Sequence, residues 1–547
     1  MNANPTISHA PRLERVGHAW RFIVDGKPFL IRGGEVHNSS GSSRSYMAPI
    51  WPKLKQSHLN TVLVPVTWES FEPREGEFDD NVIDWMVEDA RANGLKLVVL
   101  WFASWKNGES HYAPLWVKRD RKRFPFGRSR TGTMEILSAL GEESRNADAK
   151  AFERLCKRIA EIDHDHTVIA VQIENEVGFY GDSRDRSPAA DAAFAGPVPQ
   201  ILLDHLAARK NDLRPELAAR LARNGSRNAG TWTEVFGADE GADEIFMAWN
   251  NARYIEYVAA AGKRQLDVPM FVNAAVGNIG RARPGQYFSG GPLAHLHDIW
   301  RAAGDALSMY APDLYMPEFV EFFTLYNYAG NPAFMPEMKA ELEGAANVVY
   351  AIGRGGLGGS PFGIESRTAD FENGPLSKAY ALIEEMEPII VEHQAAGSII
   401  SATVNPDHLT EELVLGDYRF IVQLLQDRRT TAFRAERGYV IIMQEEPDTF
   451  LVAGYGVQVR VTTAFPNGQM VGFGGVQEGR FVDGEWKADR WLNGDELRLF
   501  RHLEQQPIAG EMRHGLRLLG GTADVRGAAP MAQNTDIQRV TLFRFDR

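Results

Sequence analysis

The sequence predicts an α/β fold: a (β/α)8 TIM barrel followed by a C-terminal all-β sandwich. Two observations carry the barrel. Eight short apolar runs of strand length recur over about the first 400 residues, most with an amphipathic helical pattern between them, which is the alternation of a parallel sheet. Carboxylates, amides and indoles collect where these runs end, and barrel chemistry gathers at the C-terminal ends of the strands, whereas a doubly wound open sheet, the structural rival, need not gather it on one rim. The sandwich rests on a third observation: from about residue 399 strands follow one another with no helix between them.

The runs come in order. "FLIRGGEV" ends in Glu35 and then His37, and "NTVLVPVTW" ends in Trp68 and Glu69. "DNVIDWMVEDARANG" repeats Ile83, Met86, Val87 and Ala90 at helical spacing, with Gly94 as the stop. "LKLVVLWFASW" leads to Trp105 and Asn107, and "TVIAVQI" to Glu174, Asn175 and Glu176. "VPMFVNAAV" holds Asn273, "MYAPDLYM" leads to Tyr315 and Glu318, "NPAFMPEM" holds Glu337 and "GGSPFGIES" holds Glu365. Such a rim suits a sugar, with acids and amides for its hydroxyls and flat rings for its C–H faces. An acid after a strand is as often a helix N-cap, but Glu176 and Glu337 directly follow apolar runs. Two acids on different strands can face each other across a barrel mouth. A period of two puts Glu174 on the face of Glu176, one layer deeper. Trp51, Trp68 and Trp105 either wall the cleft or belong to the core, where large aromatics mostly lie.

Composition removes other classes. The 547 residues carry a net charge of -13 with 44% hydrophobic residues, enough for a large core and without the long basic run that nucleic acid or an anionic membrane surface attracts. A single cysteine, Cys156, excludes an intramolecular disulfide and a thiolate metal cluster. It shares a helical face with Phe152, Leu155 and Ile159, which predicts a buried hydrophobe. The first residues lack the apolar core of a secretory leader, so the chain reads as cytoplasmic, or periplasmic if a leader was removed. No run approaches the roughly 20 apolar residues of a spanning helix.

Two motifs carry less than they suggest. "GRGGLG" at 353–358 has the dinucleotide spacing, yet it follows a helix and precedes a strand, the reverse of the required context. "DHDH" at 163–166 enters the fourth strand and therefore belongs to the end of the barrel away from the chemistry. Residues 182–244 form an insertion too long for an ordinary loop. Leaving the strand just after Glu176, it sits over the rim as a specificity loop, a lid or a subunit contact. The expected domains are the barrel at 1–398 and the β-sandwich at 399–547, the latter either a carbohydrate-binding module or a packing domain.

On these residues the chain resembles glycoside hydrolase family 35, the β-galactosidases. "IRGGEVHN" is similar to the family's "GEIHY", "LNTVLVPVTWESFEPREGEFD" to its second strand and following turn, and "VQIENEVG" to its "QIENEYG" signature. The pattern looks most like a bacterial subgroup with an uncharacterised C-terminal β-domain. The resemblance implies a retaining, exo-acting β-galactosidase of clan A that needs no cofactor and no metal. Glu176 would be the acid/base, Glu337 the nucleophile, Asn175 the partner of the sugar 2-hydroxyl and Tyr315 a donor to the nucleophile. Glu35, His37, Trp105 and Asn107 complete the implied substrate contacts.

The chain departs from the family after its third strand, where "WFASWKNGESHYAP" replaces a "GPY" element and an Asn-Ala-Glu run, and no residue matches that glutamate. The family's acid followed by Phe-Trp is also absent. "MPEFVEFF" around Glu318 is superficially nearer to it than "MPEMK", but strand counting favours Glu337. The implied partner is a β-galactoside oligosaccharide; a homodimer stays open. Another β-glycoside (fucoside, glucoside or arabinopyranoside) and a non-catalytic sugar-binding barrel are the alternatives.

Overall fold

The computed structural model describes residues 10–277, 282–425, 435–466, 468–492, 497, 515–518 and 537–546. Eight parallel strands form one sheet: β1 (Ile31–Glu35), β2 (Thr61–Thr67), β3 (Lys96–Lys106), β4 (Val168–Asn175), β5 (Met270–Ala275), β6 (Met309–Asp313), β7 (Met335–Met338) and β8 (Gly358–Pro361). Neighbours in sequence are neighbours in space, and β8 pairs with β1. A parallel bridge between Leu314 and Met338, with Leu314 N donating to Glu337 O at 2.9 Å, joins β6 to β7 and closes the ring. The sheet is a TIM barrel, as the alternating pattern predicts.

Inside the barrel, Ile31, Leu63, Val98, Leu100, Ile169, Phe271, Met309 and Phe334 form one apolar cluster. Phe22 and Val24 join it from a small antiparallel sheet of strands Arg12–Val16, Ala19–Val24 and Lys27–Pro28, which plugs the barrel floor. The alternation of strand side chains sends the other set outward into a larger core shared with the helices.

Helix α1 (Asn81–Ala92) buries Ile83, Met86, Val87 and Ala90, and Gly94 follows at φ +63°. Helix α2 (Glu142–Ile162) buries Phe152, Leu155, Cys156 and Ile159 against α3 (Glu240–Lys263). Gly262 makes that approach possible: a Cβ there would meet Phe152 at 2.2 Å and Cys156 Sγ at 2.8 Å. Burial pushes the Cys156 thiol well above its ordinary pKa, which makes it an inert hydrophobe. The 163–166 segment lies where the sequence places it, ahead of β4, with Asp163 accepting the N–H groups of Thr167 and Val168 and pairing with Arg91. The 353–358 segment links α4 (Glu341–Gly353) to β8.

After β8, helix α5 (Pro375–Ala396) is capped by Gly397 in the left-handed conformation at φ +69°. Two antiparallel sheets follow. The six-stranded one runs β9 (Ile399–Val404), β12 (Gly438–Glu446), β13 (Thr449–Tyr455), β18 (Ile537–Asp546), β15 (Gln469–Val482) and β16 (Glu485–Trp491). The four-stranded one runs β10 (Thr410–Leu415), β11 (Tyr418–Leu424), β14 (Val457–Thr463) and β17 (Leu516–Leu518). Along β12, Val440 and Ile442 face the second sheet while Tyr439, Ile441 and Met443 join the barrel's helical core. Strand β12 is therefore covered on both sides, and Ser401 Oγ donates to Tyr350 O of α4 at 2.7 Å. No helix among the described residues is long and apolar enough to cross a membrane.

Candidate active site

At the C-terminal ends of the strands the site assembles around Glu337, which β7 delivers buried into the barrel mouth. Its Oε1 accepts from Asn175 Nδ2 at 2.8 Å and from Asn273 Nδ2 at 3.3 Å, and its Oε2 accepts from Tyr315 Oη at 3.0 Å. Glu176 follows β4 with φ +46°, and its N–H donates to Asn273 Oδ1 at 3.0 Å. That left-handed turn breaks the strand period and lets Asn175 and Glu176 both serve the mouth. Carboxylate oxygens of Glu176, Asp313 and Glu337 lie within 4.8 Å of one another. Among the described residues, these are also the group with the geometry to hold a metal ion.

Three of the acids at the mouth have raised carboxyl pKa values. Burial, and then the negative Glu337, push the Glu176 carboxyl up to about 7, which suits a group that must carry a proton near neutrality. Asp313, at the end of β6, is held well above the carboxylate range by burial and by Glu337 and Glu176, while its Oδ2 accepts from Asn273 Nδ2 at 2.7 Å. Glu35 is 1% exposed, and neither of its oxygens has a hydrogen-bond partner within the protein. Burial, followed by Glu337, raises its carboxyl well above the ordinary range. Such an acid, kept neutral, both donates and accepts, and it is poised for a polar ligand.

The remaining predicted residues divide. His37 is half-buried, with Nε2 2.5 Å from Ser366 Oγ and its N–H donating to Glu365 Oε1 at 2.9 Å, while Asn107 is exposed on the rim with φ +53°. Trp105 is a correction. It is 2% exposed, its ring packs on Tyr254 of α3 at 4.5 Å and its Nε1 donates to Leu137 O at 3.1 Å, so it lies in the outer helical core. Trp51 and Trp68 share that core. Glu318 caps the helix Phe319–Tyr326 and is not part of the Glu337 cluster, because β6 ends at Asp313, five residues earlier in the chain.

Glu174 departs from the expected layering. At φ +59° it turns to the outer side of the barrel wall, where it accepts from the N–H groups of Ala103, Ser104 and Trp105 at 3.2, 3.1 and 2.7 Å. Burial, with Asp148 beside it, raises its carboxyl well above the ordinary range. The sequence reading missed two residues of the site, Asp313 and Lys106. Asp313 closes an apolar strand as the other acids do, so the signal was present; Lys106 carried none, since lysine at a strand end ordinarily reaches into water.

The insertion after Glu176 folds as short helices, Pro188–Ala195, Gln200–Ala208, Pro215–Arg223 and Trp232–Phe236, ahead of α3. Its base is pinned by Arg184 and Arg186 on Asp243 at 3.0 and 2.7 Å, and Phe179 bridges Ser289 on the segment after β5.

An eight-stranded parallel barrel with paired carboxylates on its C-terminal rim is the arrangement that retaining glycoside hydrolases use. Residues 21–201 match the model of Glycosyl hydrolases family 35. Residues 376–504 match a domain of unknown function, DUF5597, which takes in α5 and most of the strands after it. Among curated proteins, a beta-galactosidase of Xanthomonas manihotis is 30% identical over 175 residues, 30% of this chain. The chain spans about a quarter of that relative's length, 26%. Among solved structures, the beta-galactosidase from the psychrophilic Marinomonas ef1 is 11% identical with a TM-score of 0.45, covering 66% of this chain and 61% of that one. The beta-galactosidase from Bacillus circulans sp. alkalophilus is 12% identical with a TM-score of 0.45, covering 66% and 57%.

Proposed function

We propose that the chain is a retaining, exo-acting β-galactosidase that releases terminal β-galactosyl residues from oligosaccharides by double displacement. The observation that carries the mechanism is the approach of Glu176 and Glu337, on different strands, to within 4.8 Å between oxygens. Retaining enzymes hold their two carboxyls about 5–5.5 Å apart, too close for the water that inversion places between them. The 30% identity over 175 residues to a curated beta-galactosidase supports the galactoside.

In the first step Glu337 attacks the anomeric carbon while protonated Glu176 delivers its proton to the departing glycosidic oxygen. In the second, Glu176 takes a proton from water, which attacks the same carbon and frees Glu337. Tyr315 holds one oxygen of the nucleophile, and Asn175 holds the other until the sugar 2-hydroxyl enters beside it. Glu35, His37 and Asn107 are the further proposed contacts for sugar hydroxyls. The loop after β3 favours a second reading of specificity. It replaces the family's usual run with Lys106-Asn107-Gly108, leaving room for a β-fucoside, glucoside or arabinopyranoside.

The test is a panel of nitrophenyl β-glycosides offered with chelator to the wild type and to Glu176→Ala and Glu337→Gly. Hydrolysis of the galactoside that depends on both acids supports the reading. Hydrolysis of another glycoside keeps the mechanism and moves the specificity. Wild-type inactivity across the panel, with sugar binding retained, leaves a non-catalytic sugar-binding barrel.

A further inference from the structure

We propose that Lys106 is a positioning residue for the reacting pair: by donating to Asn175 Oδ1 it fixes which way that amide points and so aims Asn175 Nδ2 at Glu337. The inference rests on the glycosidase reading above.

Lys106 ends β3, is 8% exposed, and places Nζ 2.9 Å from Asn175 Oδ1 and 3.9 Å from Glu337 Oε1. An ammonium has donors and no acceptor, so the amide atom facing it must be oxygen. The amide nitrogen is then committed to Glu337, at 2.8 Å. Without Lys106 the amide can turn, presenting its oxygen to a carboxylate and the wrong group to the incoming hydroxyl.

The backbone is shaped to make this delivery. Trp101 pairs with Ile173 and Lys106 with Asn175, so β3 spends five residues where β4 spends two. The excess is a bulge, whose N–H groups at Ala103, Ser104 and Trp105 are gathered by the Glu174 carboxyl. The bulge sends Trp105 outward and Lys106 inward. There the ammonium lies 4.9 Å from the Phe102 ring, and four carboxyl groups from four strand ends, Glu337, Glu35, Glu176 and Asp313, face it together with the Tyr112 phenol.

A lysine that only offset those charges would act the same whether or not Asn175 were present. A double-mutant cycle over Lys106→Met and Asn175→Ala, read as kcat and KM on the best nitrophenyl glycoside of the panel, separates the two roles. Each single change should lower kcat roughly a hundredfold, the scale for losing one preorganised donor, with KM little altered. The double variant should fall no lower than the worse single one, and Lys106→Arg should recover part of the loss. Should Lys106→Met fail to fold, Lys106→Leu, which also lacks a donor, takes its place in the cycle. Losses that multiply, or a raised KM with kcat retained, overturn the positioning role while leaving the glycosidase reading intact. A wild type that hydrolyses no glycoside overturns both.

Discussion

Tyr315 Oη donates to Glu337 Oε2 at 3.0 Å while Asn175 takes the other oxygen, so the proposed nucleophile is held at both ends. Tyr315→Phe removes one of these donors without emptying its site. We expect kcat to fall by roughly ten- to a hundredfold on aryl glycosides, toward the lower end of what a lost active-site donor costs. Steady-state kinetics check this, and an unchanged kcat would exclude the phenol from the reaction.

Glu176→Ala should separate the two half-reactions. Loss of the acid slows poor leaving groups far more than activated aryl ones, because the latter depart with little protonation. Added azide should then restore turnover and yield a β-glycosyl azide, the product expected of double displacement. Uniform loss across leaving groups, with no azide adduct, would remove Glu176 from its role.

The activity should also carry the signature of the raised Glu176 carboxyl. In its proposed role as acid Glu176 acts protonated, and burial beside Glu337 pushes it up to about 7, so kcat/KM should decline as pH rises through about 7. Removing the negative neighbour in Glu337→Gln lowers that pKa, since a like charge disfavours ionisation. A titration of Glu176 followed spectroscopically in that variant should shift to lower pH; no shift would mean that the two carboxyls do not share a site.

Glu174 is expected to matter for stability. Its carboxyl accepts three buried backbone N–H groups, and leaving each unpaired costs on the order of 1–3 kcal/mol. Glu174→Ala should therefore destabilise the fold by at least about 3 kcal/mol, measured by urea unfolding, whereas Glu174→Gln, which keeps an acceptor oxygen, should lose less.

Local pattern was enough for the frame. The order of strands and helices, the burial of α1 and of Cys156, and the end of the barrel that holds the "DHDH" segment all follow from periodicity and from where polarity meets an apolar run. Asn175 and Glu337 were legible for the same reason: each ends an apolar strand, and counting strands put them on one rim. Trp105 was legible only as a large aromatic, for which core and cleft are equal readings until its surroundings are known.

By itself, then, the sequence determined an eight-unit barrel, a following β-domain and a rim holding Glu176 and Glu337, because hydrophobic spacing and chain order act over a few residues at a time. Tertiary structure alone decided the rest. Two positive φ angles at Glu174 and Glu176 overrule the period of two, one sending its side chain through the barrel wall and the other turning its own into the mouth. A three-residue excess in β3 relative to β4 puts Trp105 in the outer core and Lys106 in the mouth. The ammonium is buried beside Glu337 and Asn175, with acids from β1, β4 and β6 around it, surroundings that no local stretch of the chain contains.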